Sequence, residues 1–237
     1  MRSRMTIRLQ PSLAVKEKRL ASLLGGKRRG PRDPDLAAVV EDAQLLGSLE
    51  ISGFRVAWTE VRSSRTSGEG PAEVLALRRA RSAVAPDAPF TVRALQAWHE
   101  TLAGPVGFRR VEREREESPP SPAEFVAGRL QALEEWLQMA GSRDLGPEQA
   151  AAVALARVVE ILPFDDGNGR VSRLAASHLM VRGGLRPPIL VAGDGPRLRA
   201  ATLAAFRLET EALVALLVEA SGRAVDVMIQ ALERGEV

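Results

Sequence analysis

The stretch Leu162–Arg173 reads LPFDDGNGRVSR. Apolar residues at helical spacing precede and follow it, so the sequence predicts a glycine-rich turn between two helices. Gly167 and Gly169 would let the backbone approach a ligand closely. The first amides of the second helix lack partners and meet the positive end of its dipole. This arrangement predicts an anion site at a helix N-terminus, suited to phosphate.

Charged side chains in the same stretch strengthen that prediction. Arg170 and Arg173 lie three residues apart at the start of the predicted helix, so both can reach one anion. Asp166, beside the turn, offers a hard oxygen ligand for an Mg²⁺ ion that already holds phosphate. The alternative is a glycine turn with two surface arginines, and the residues alone leave both interpretations open.

Outward from this stretch, glycine, proline and polar clusters divide the chain into mostly helical segments. The expected fold class is all-α, with at most a small β-hairpin near 106–112. A loop is expected over 63–71, where serine, threonine and glycine are dense. We expect helices over about 35–52, 72–84, 91–103, 125–137, 147–161, 170–182 and 196–219, and a last helix after these.

Composition limits the function classes. The chain has no cysteine, which excludes disulfides and thiolate metal sites and fits a cytoplasmic protein. No apolar run is long enough to span a bilayer. The net charge is only +3. The sequence pI is nevertheless about 10.1, because only three of the 33 basic residues are lysines and arginine stays protonated to high pH. The arginines are spread evenly, which argues against a nucleic-acid partner.

The stretch resembles the Fic family signature, H-P-F-x-[D/E]-G-N-G-R-x-x-R, at every fixed position but the first. The resemblance implies a helical Fic fold that binds Mg²⁺ and ATP or another nucleotide, and transfer of AMP to a protein hydroxyl. Its G-N-G core separates it from the Doc kinase branch. By the resemblance Asp166 would hold the metal and Arg173 the γ-phosphate. The α- and β-phosphates would lie against Gly167, Asn168, Gly169 and Arg170.

The likeness extends over about 35–192 and the C-terminal helices, and it does not explain residues 1–30. A basic segment, 1–30, would precede a Fic-like domain over 31–237. That domain would comprise an inhibitory-type helix at about 35–52, a core at about 72–192 and C-terminal helices at about 196–234. Gly107, Phe108 and Arg109 resemble the family's flap, which docks a target protein as an added strand. The sequence is compatible with both a monomer and a homo-oligomer.

Leu162 is the main departure from the signature, since active members carry a histidine there. That histidine takes the proton from the target hydroxyl, and a leucine has no lone pair with which to do so. General base catalysis contributes roughly 10²–10⁴-fold to a rate. His99 is expected to be packed and hydrogen-bonded, His178 to lie two turns from the phosphate end, and Asp165 to face solvent. None of the three is a convincing replacement.

A second departure concerns an inhibitory motif, [S/T]-x-x-x-E-[G/N], whose glutamate pairs with the second signature arginine in many family members. Ser48–Gly53 fits the pattern, with Ser48 first and Gly53 last, but Ser52 replaces the glutamate. Glu50 lies two residues away on another helical face. Glu69 is an alternative, but Arg65 occupies its Ser/Thr position. The first match predicts that Arg173 lacks its restraining partner.

Three functions follow from these residues. The first is a nucleotide-binding protein deficient in AMP transfer. The second is an active nucleotidyl- or phosphate-group transferase with a non-standard base or acceptor, which the retained anion site favours. The third is a helical interaction module without nucleotide chemistry. The sequence is compatible with a natural or an engineered origin of Leu162.

Overall fold

Helices make up the regular structure of the computed structural model, which describes residues 11–25, 34–105, 107–139 and 145–235. No β-strand occurs in these ranges. The helices are α1 (Pro11–Leu24), α2 (Pro34–Ile51), α3 (Trp58–Ser67), α4 (Ala72–Ser82), α5 (Val92–Ala103), α6 (Val126–Gln138), α7 (Pro147–Ile161), α8 (Asn168–Arg182), α9 (Gly195–Phe206) and α10 (Glu211–Arg234). The predicted all-α class is confirmed.

The central pair of helices is α7 and α8, which pack closely along each other. α7 buries small alanines such as Ala151 and Ala154, so the two backbones can approach. A Cβ on Gly183 would lie 2.2 Å from Pro147 Cβ, which places the end of α8 against the start of α7. The pair is therefore antiparallel, and the Leu162–Asn168 turn emerges at one end of it. One apolar cluster joins this pair to α5, α6, α9 and α10.

α5 supports the turn from one side, and its sequence explains its limits. Thr91 caps the helix by accepting a hydrogen bond from Ala94 N at 3.0 Å, as the sequence predicted. Gly104, with φ of 85°, ends it. Trp98 and His99 are buried on the inward face.

α2 supports the turn from the other side and depends on a glycine. A Cβ on Gly47 would lie 1.7 Å from the carbonyl oxygen of Leu190, which is a backbone atom. Only a residue without a side chain therefore allows this approach of α2 to the segment before α9.

We expect Gly47→Ala to lower the free energy of unfolding by about 3 kcal/mol or more, because backbone must move to admit the methyl group. Gly128→Ala is the matched control, since Gly128 is exposed within α6 and no atom lies within 4 Å of its added Cβ. That variant should gain roughly 0.5–1 kcal/mol from helix propensity. Urea unfolding of both variants measures the difference, and equal effects would contradict the close approach.

The loop expected over 63–71 is wrong for 63–67, because α3 continues to Ser67, and it is confirmed for 68–71. The hydroxyls of Ser63, Thr66 and Ser67 donate to carbonyls three or four residues earlier in the helix, so they do not compete with it. Val61 and Ser64 are buried. Tertiary packing thus outweighs the weak helix propensity of these residues.

The single helix expected over 196–219 is also wrong, because the chain breaks between α9 and α10. Leu208 adopts a φ of 68° and is exposed. The amide of Glu209 donates to Ala204 O at 3.3 Å, which closes α9 in the manner of a C-cap. A leucine at a position that usually carries glycine gives no sequence signal for this turn.

The β-hairpin expected near 106–112 is not seen in its described part, 107–112. The amide of Arg109 donates to Pro163 O at 2.9 Å, so this segment attaches to the signature turn and not to a neighbouring strand. Val106 lies outside the described residues.

The basic segment expected over 1–30 is described only at 11–25. There α1 packs its buried Leu13, Leu20 and Leu24 against α10. Lys16 Nζ also pairs with Asp226 Oδ2 at 2.6 Å. Among the helices that the structure describes, none combines the length and apolar character needed to cross a membrane.

Candidate functional site

The signature turn is held from inside by Asn168. Its side chain accepts from Phe164 N at 2.9 Å and donates to Phe164 O at 2.8 Å. Phe164 is fully buried, and Gly167 adopts the left-handed conformation with φ of 79°. The first hydrogen bond that closes α8 runs from Val171 N to Gly167 O at 3.0 Å. The three amides before Val171 therefore have no acceptor within the helix, which is the condition that lets a helix N-terminus bind an anion.

Leu162 begins the turn and caps α7 in a left-handed conformation, with φ of 53° and ψ of 62°. This conformation is uncommon for leucine and tolerated better by histidine or asparagine. The side chain is half-buried. The backbone at this position thus has a conformation that suits the family's histidine better than the leucine that is present.

Arg170 is buried at the start of α8. Its Nη2 lies 3.2 Å from Asp166 Oδ2, and its guanidinium lies over the ring of Phe54 at 5.2 Å. The Asp166 carboxylate is 88% exposed, so it can reach solvent, a metal or a ligand. Phe54 was missed as part of the site, because a single aromatic residue after a helix has no distinctive pattern.

Arg173, one turn further along α8, contacts only neutral oxygens in the described structure. Its Nε donates to Ser48 Oγ at 2.9 Å, and its Nη2 donates to Ser48 O at 2.8 Å and to Ser52 Oγ at 2.6 Å. The sequence predicted an arginine without its restraining glutamate. The structure adds that the serine in the glutamate's place still binds it, without a charge. We call these contacts the Ser48–Ser52 clasp.

The charge of Arg173 is therefore uncompensated by a carboxylate among the described residues. Burial, and next the charge of Arg170, lower the pKa of Arg173 from its usual range to about 10. The guanidinium remains protonated at neutral pH. An anion at this place would supply the missing counter-charge.

His99 supports the turn from α5. Its ring stacks on Phe164 with centroids 3.7 Å apart, and Nε2 lies 3.1 Å from the carbonyl oxygen of Asp166. Nδ1 is buried without a hydrogen-bond partner, so the neutral ring carries its proton on Nε2. The expected packed and hydrogen-bonded role is confirmed.

The other two candidate bases, His178 and Asp165, interact with other groups of the protein. His178 Nε2 lies 2.8 Å from the carbonyl of Ala88, and its ring meets Trp98 edge-on. Asp165 is exposed, as expected, and accepts from Arg113 Nη2 at 2.8 Å. None of them is placed to assume the role that Leu162 cannot perform.

Acidification should destabilise the protein through its two histidines. Burial lowers the pKa of His99 and of His178 below the ordinary value of about 6.5. Their contribution to stability is complete above that value and is lost as the pH falls toward the folded pKa values. Proton NMR should resolve two histidine titrations, both below about pH 6.5. A titration of either ring at or above that value would contradict the burial.

Arg109 ties the flap segment to the end of α7. Its Nε donates to Leu162 O at 2.6 Å, Nη1 to Val111 O at 3.0 Å, and Nη2 to Ile161 O at 3.3 Å. The side chain is buried, so it binds the last carbonyls of α7 and not a docked target. The resemblance predicts a flap position for Arg109 and does not predict this contact, because the sequence does not distinguish a buried arginine from a solvent-facing one there.

The remaining flap residues differ in exposure. Phe108 is half-buried against Phe164, with ring centroids 5.7 Å apart, and Gly107 is exposed. Gly53, the last position of the inhibitory-type motif, is exposed with φ of 86°.

A cavity of about 660 Å³ opens beside the start of α8. Gly169, Ser172 and Arg173 form its side next to the signature turn. Apolar side chains from α7 and α9 form much of the rest, and the guanidinium of Arg115 covers the ring of Phe206 at 5.0 Å. The N-terminus of α8 therefore lies beside an open space that is lined by both polar and apolar side chains.

Sequence comparison relates these features to known proteins. The profile of the Fic/DOC family matches residues 89–180, from the start of α5 almost to the end of α8. The proteins named protein adenylyltransferase Fic from Drosophila willistoni and Drosophila melanogaster are 42% identical to this chain over 73 residues. That segment is 31% of this chain and 14% of each relative, so the match spans a small part of their length.

Solved structures show the same fold over nearly the whole chain. Fic-1 from C. elegans covers 94% of this chain and 74% of its own, with a TM-score of 0.72 and 21% identity. A Fic domain containing signaling protein from Bacteroides thetaiotaomicron covers 94% of this chain and 98% of its own, with a TM-score of 0.72 and 17% identity. With the family match across the signature turn, these similarities show that the chain carries a Fic domain.

Proposed function

We propose that the protein binds a nucleoside triphosphate, with ATP as the first candidate, at the N-terminus of α8 and is deficient in AMP transfer. The observation that carries the proposal is Arg173, a half-buried guanidinium with only neutral partners beside the unpaired amides of a helix. Arg170 adds a second positive charge one turn earlier. The phosphates would supply the anion that this arrangement lacks.

Mg²⁺ fits the residues present. Among the described residues no cluster of three or more acidic or histidine side chains could form a metal cage. Asp166 offers one exposed carboxylate, and Mg²⁺ in nucleotide sites is commonly held by one or two carboxylates, phosphate oxygens and water. When bound, the ion would neutralise phosphate charge, and Asp166 would hold it at the edge of the turn.

The proposed deficiency in AMP transfer follows from the side chains around Leu162. Leucine cannot accept a proton, and both histidines and Asp165 are engaged by other groups. Loss of a general base costs roughly 10²–10⁴-fold in rate, or about 3–5 kcal/mol of barrier. Similar proteins are named adenylyltransferases, so AMP transfer is the activity in which the reduced rate should be measured.

A paired measurement tests both halves of the proposal. Calorimetry with Mg²⁺ and ATP is expected to detect binding, while α-³²P-ATP is expected to leave the chain and added protein acceptors unlabelled. Absence of binding would overturn the proposed site. Labelling at a rate typical of adenylyltransferases would instead favour an active transferase with another base or acceptor, which the retained Asp166, Asn168 and both arginines also allow.

A further inference from the structure

We propose that Ser52 is a phosphorylation site, and that a phosphate on its hydroxyl would bind Arg173 and exclude nucleotide. This inference rests on the proposed function for its effect on nucleotide binding. The contact between the phosphate and Arg173 can be tested without any nucleotide.

Ser52 is accessible to a modifying enzyme. It follows the last residue of α2 and is exposed, as is Gly53 after it, and residues 54–57 form no regular element. Ser48, one turn earlier, also binds Arg173 but is half-buried within the helix. Of the two serines in the clasp, Ser52 is therefore the one that a kinase could reach.

The position of the Ser52 hydroxyl determines where a phosphate would lie. Oγ lies 2.6 Å from Arg173 Nη2 and donates its own proton to Ser48 O at 2.9 Å. A phosphate on this oxygen would start in direct contact with the guanidinium. The contact would then change from a hydrogen bond between the guanidinium and a neutral hydroxyl to an ion pair between the guanidinium and a phosphate.

The local charge favours an added anion. Arg170 and Arg173 contribute two positive charges, and Asp166 is the carboxylate that pairs with Arg170. A phosphoserine carries about −1.5 to −2 charges at neutral pH. It would neutralise the excess positive charge that the phosphates of the proposed nucleotide would otherwise neutralise.

The modification is an ordinary phosphoryl transfer from ATP by a serine kinase. The bond between the γ-phosphorus and the β–γ bridging oxygen breaks, and a bond forms between that phosphorus and Ser52 Oγ. The hydroxyl proton passes to a base of the kinase, and ADP leaves. Removal by a phosphatase would restore the serine and open the site.

The test uses the full chain with phosphoserine incorporated genetically at position 52. Phosphoserine at position 63 is the matched control, because Ser63 is an exposed serine on α3. A ³¹P NMR titration should give a second phosphate pKa lower at 52 than at 63. Arg173→Ala should abolish that difference. Equal titrations at both positions would overturn the contact with Arg173.

Calorimetry with Mg²⁺ and ATP tests the consequence. Phosphoserine at 52 should weaken binding roughly tenfold to a hundredfold, whereas phosphoserine at 63 should not. An unchanged affinity for ATP with phosphoserine at position 52 would overturn the proposed exclusion of nucleotide. If the unmodified chain binds no ATP while the NMR difference is present, the proposed function fails and the phosphate contact stands.

Phosphopeptide mapping of the protein from its own cells tests the modification itself. Phosphate is expected on Ser52, and its absence across growth conditions would overturn the assignment of the site.

Discussion

Leu162→His is expected to raise transfer of AMP by roughly 10²–10⁴-fold, because it supplies the missing general base. The backbone at this position is left-handed, a conformation that histidine adopts more readily than leucine, so the new side chain requires no rearrangement of the turn. Incorporation of label from α-³²P-ATP into the chain measures transfer to its serines and threonines, since the sequence has no tyrosine. Pyrophosphate release measures the total transfer of AMP, to the chain and to water together.

Leu162→Asn is the matched control for this prediction. Asparagine also tolerates the left-handed conformation and is polar, but it is not a base at neutral pH. Its transfer rate should stay at that of the unchanged protein. Equal rates for the histidine and asparagine variants would show that more than the base is missing from the site.

Arg173→Ala is expected to weaken binding of Mg²⁺–ATP roughly tenfold to a hundredfold, because it removes charge-assisted hydrogen bonds to phosphate. Arg173→Lys should recover part of the affinity, since lysine keeps the charge but loses the planar fork. Calorimetry at constant ionic strength measures both variants.

Arg182→Ala serves as the control, since Arg182 is an exposed arginine in the last turn of the same helix, α8. It removes the same charge from the protein without touching the proposed site. If both alanine variants bind equally well, the charge effect is general and Arg173 is not a ligand.

The turn between α7 and α8 could be predicted from sequence because its rules are local. Pro147 starts α7, Gly167 precedes α8 in a left-handed conformation, and Gly183 ends α8. Thr91 likewise capped α5 as expected. The family resemblance then indicated which residues around this turn form the candidate site.

The features that were missed depend on packing between distant segments. α3 forms where serines and threonines favoured a loop, and Leu208 ends α9 without a glycine. The partners of Arg173 lie 121 and 125 residues away on α2 and just beyond it. A serine in place of a glutamate indicated a lost ion pair, but only the structure shows that Arg173 still binds this position, through uncharged serine oxygens.

We propose that α8 presents a phosphate site that has lost its general base. A crystal structure with Mg²⁺ and a non-hydrolysable ATP analogue tests it most directly. Phosphates are expected on the amides at the start of α8, with Arg173 withdrawn from the Ser48–Ser52 clasp to bind them and Asp166 beside the metal. A nucleotide bound elsewhere, or an empty turn at saturating analogue, would contradict it.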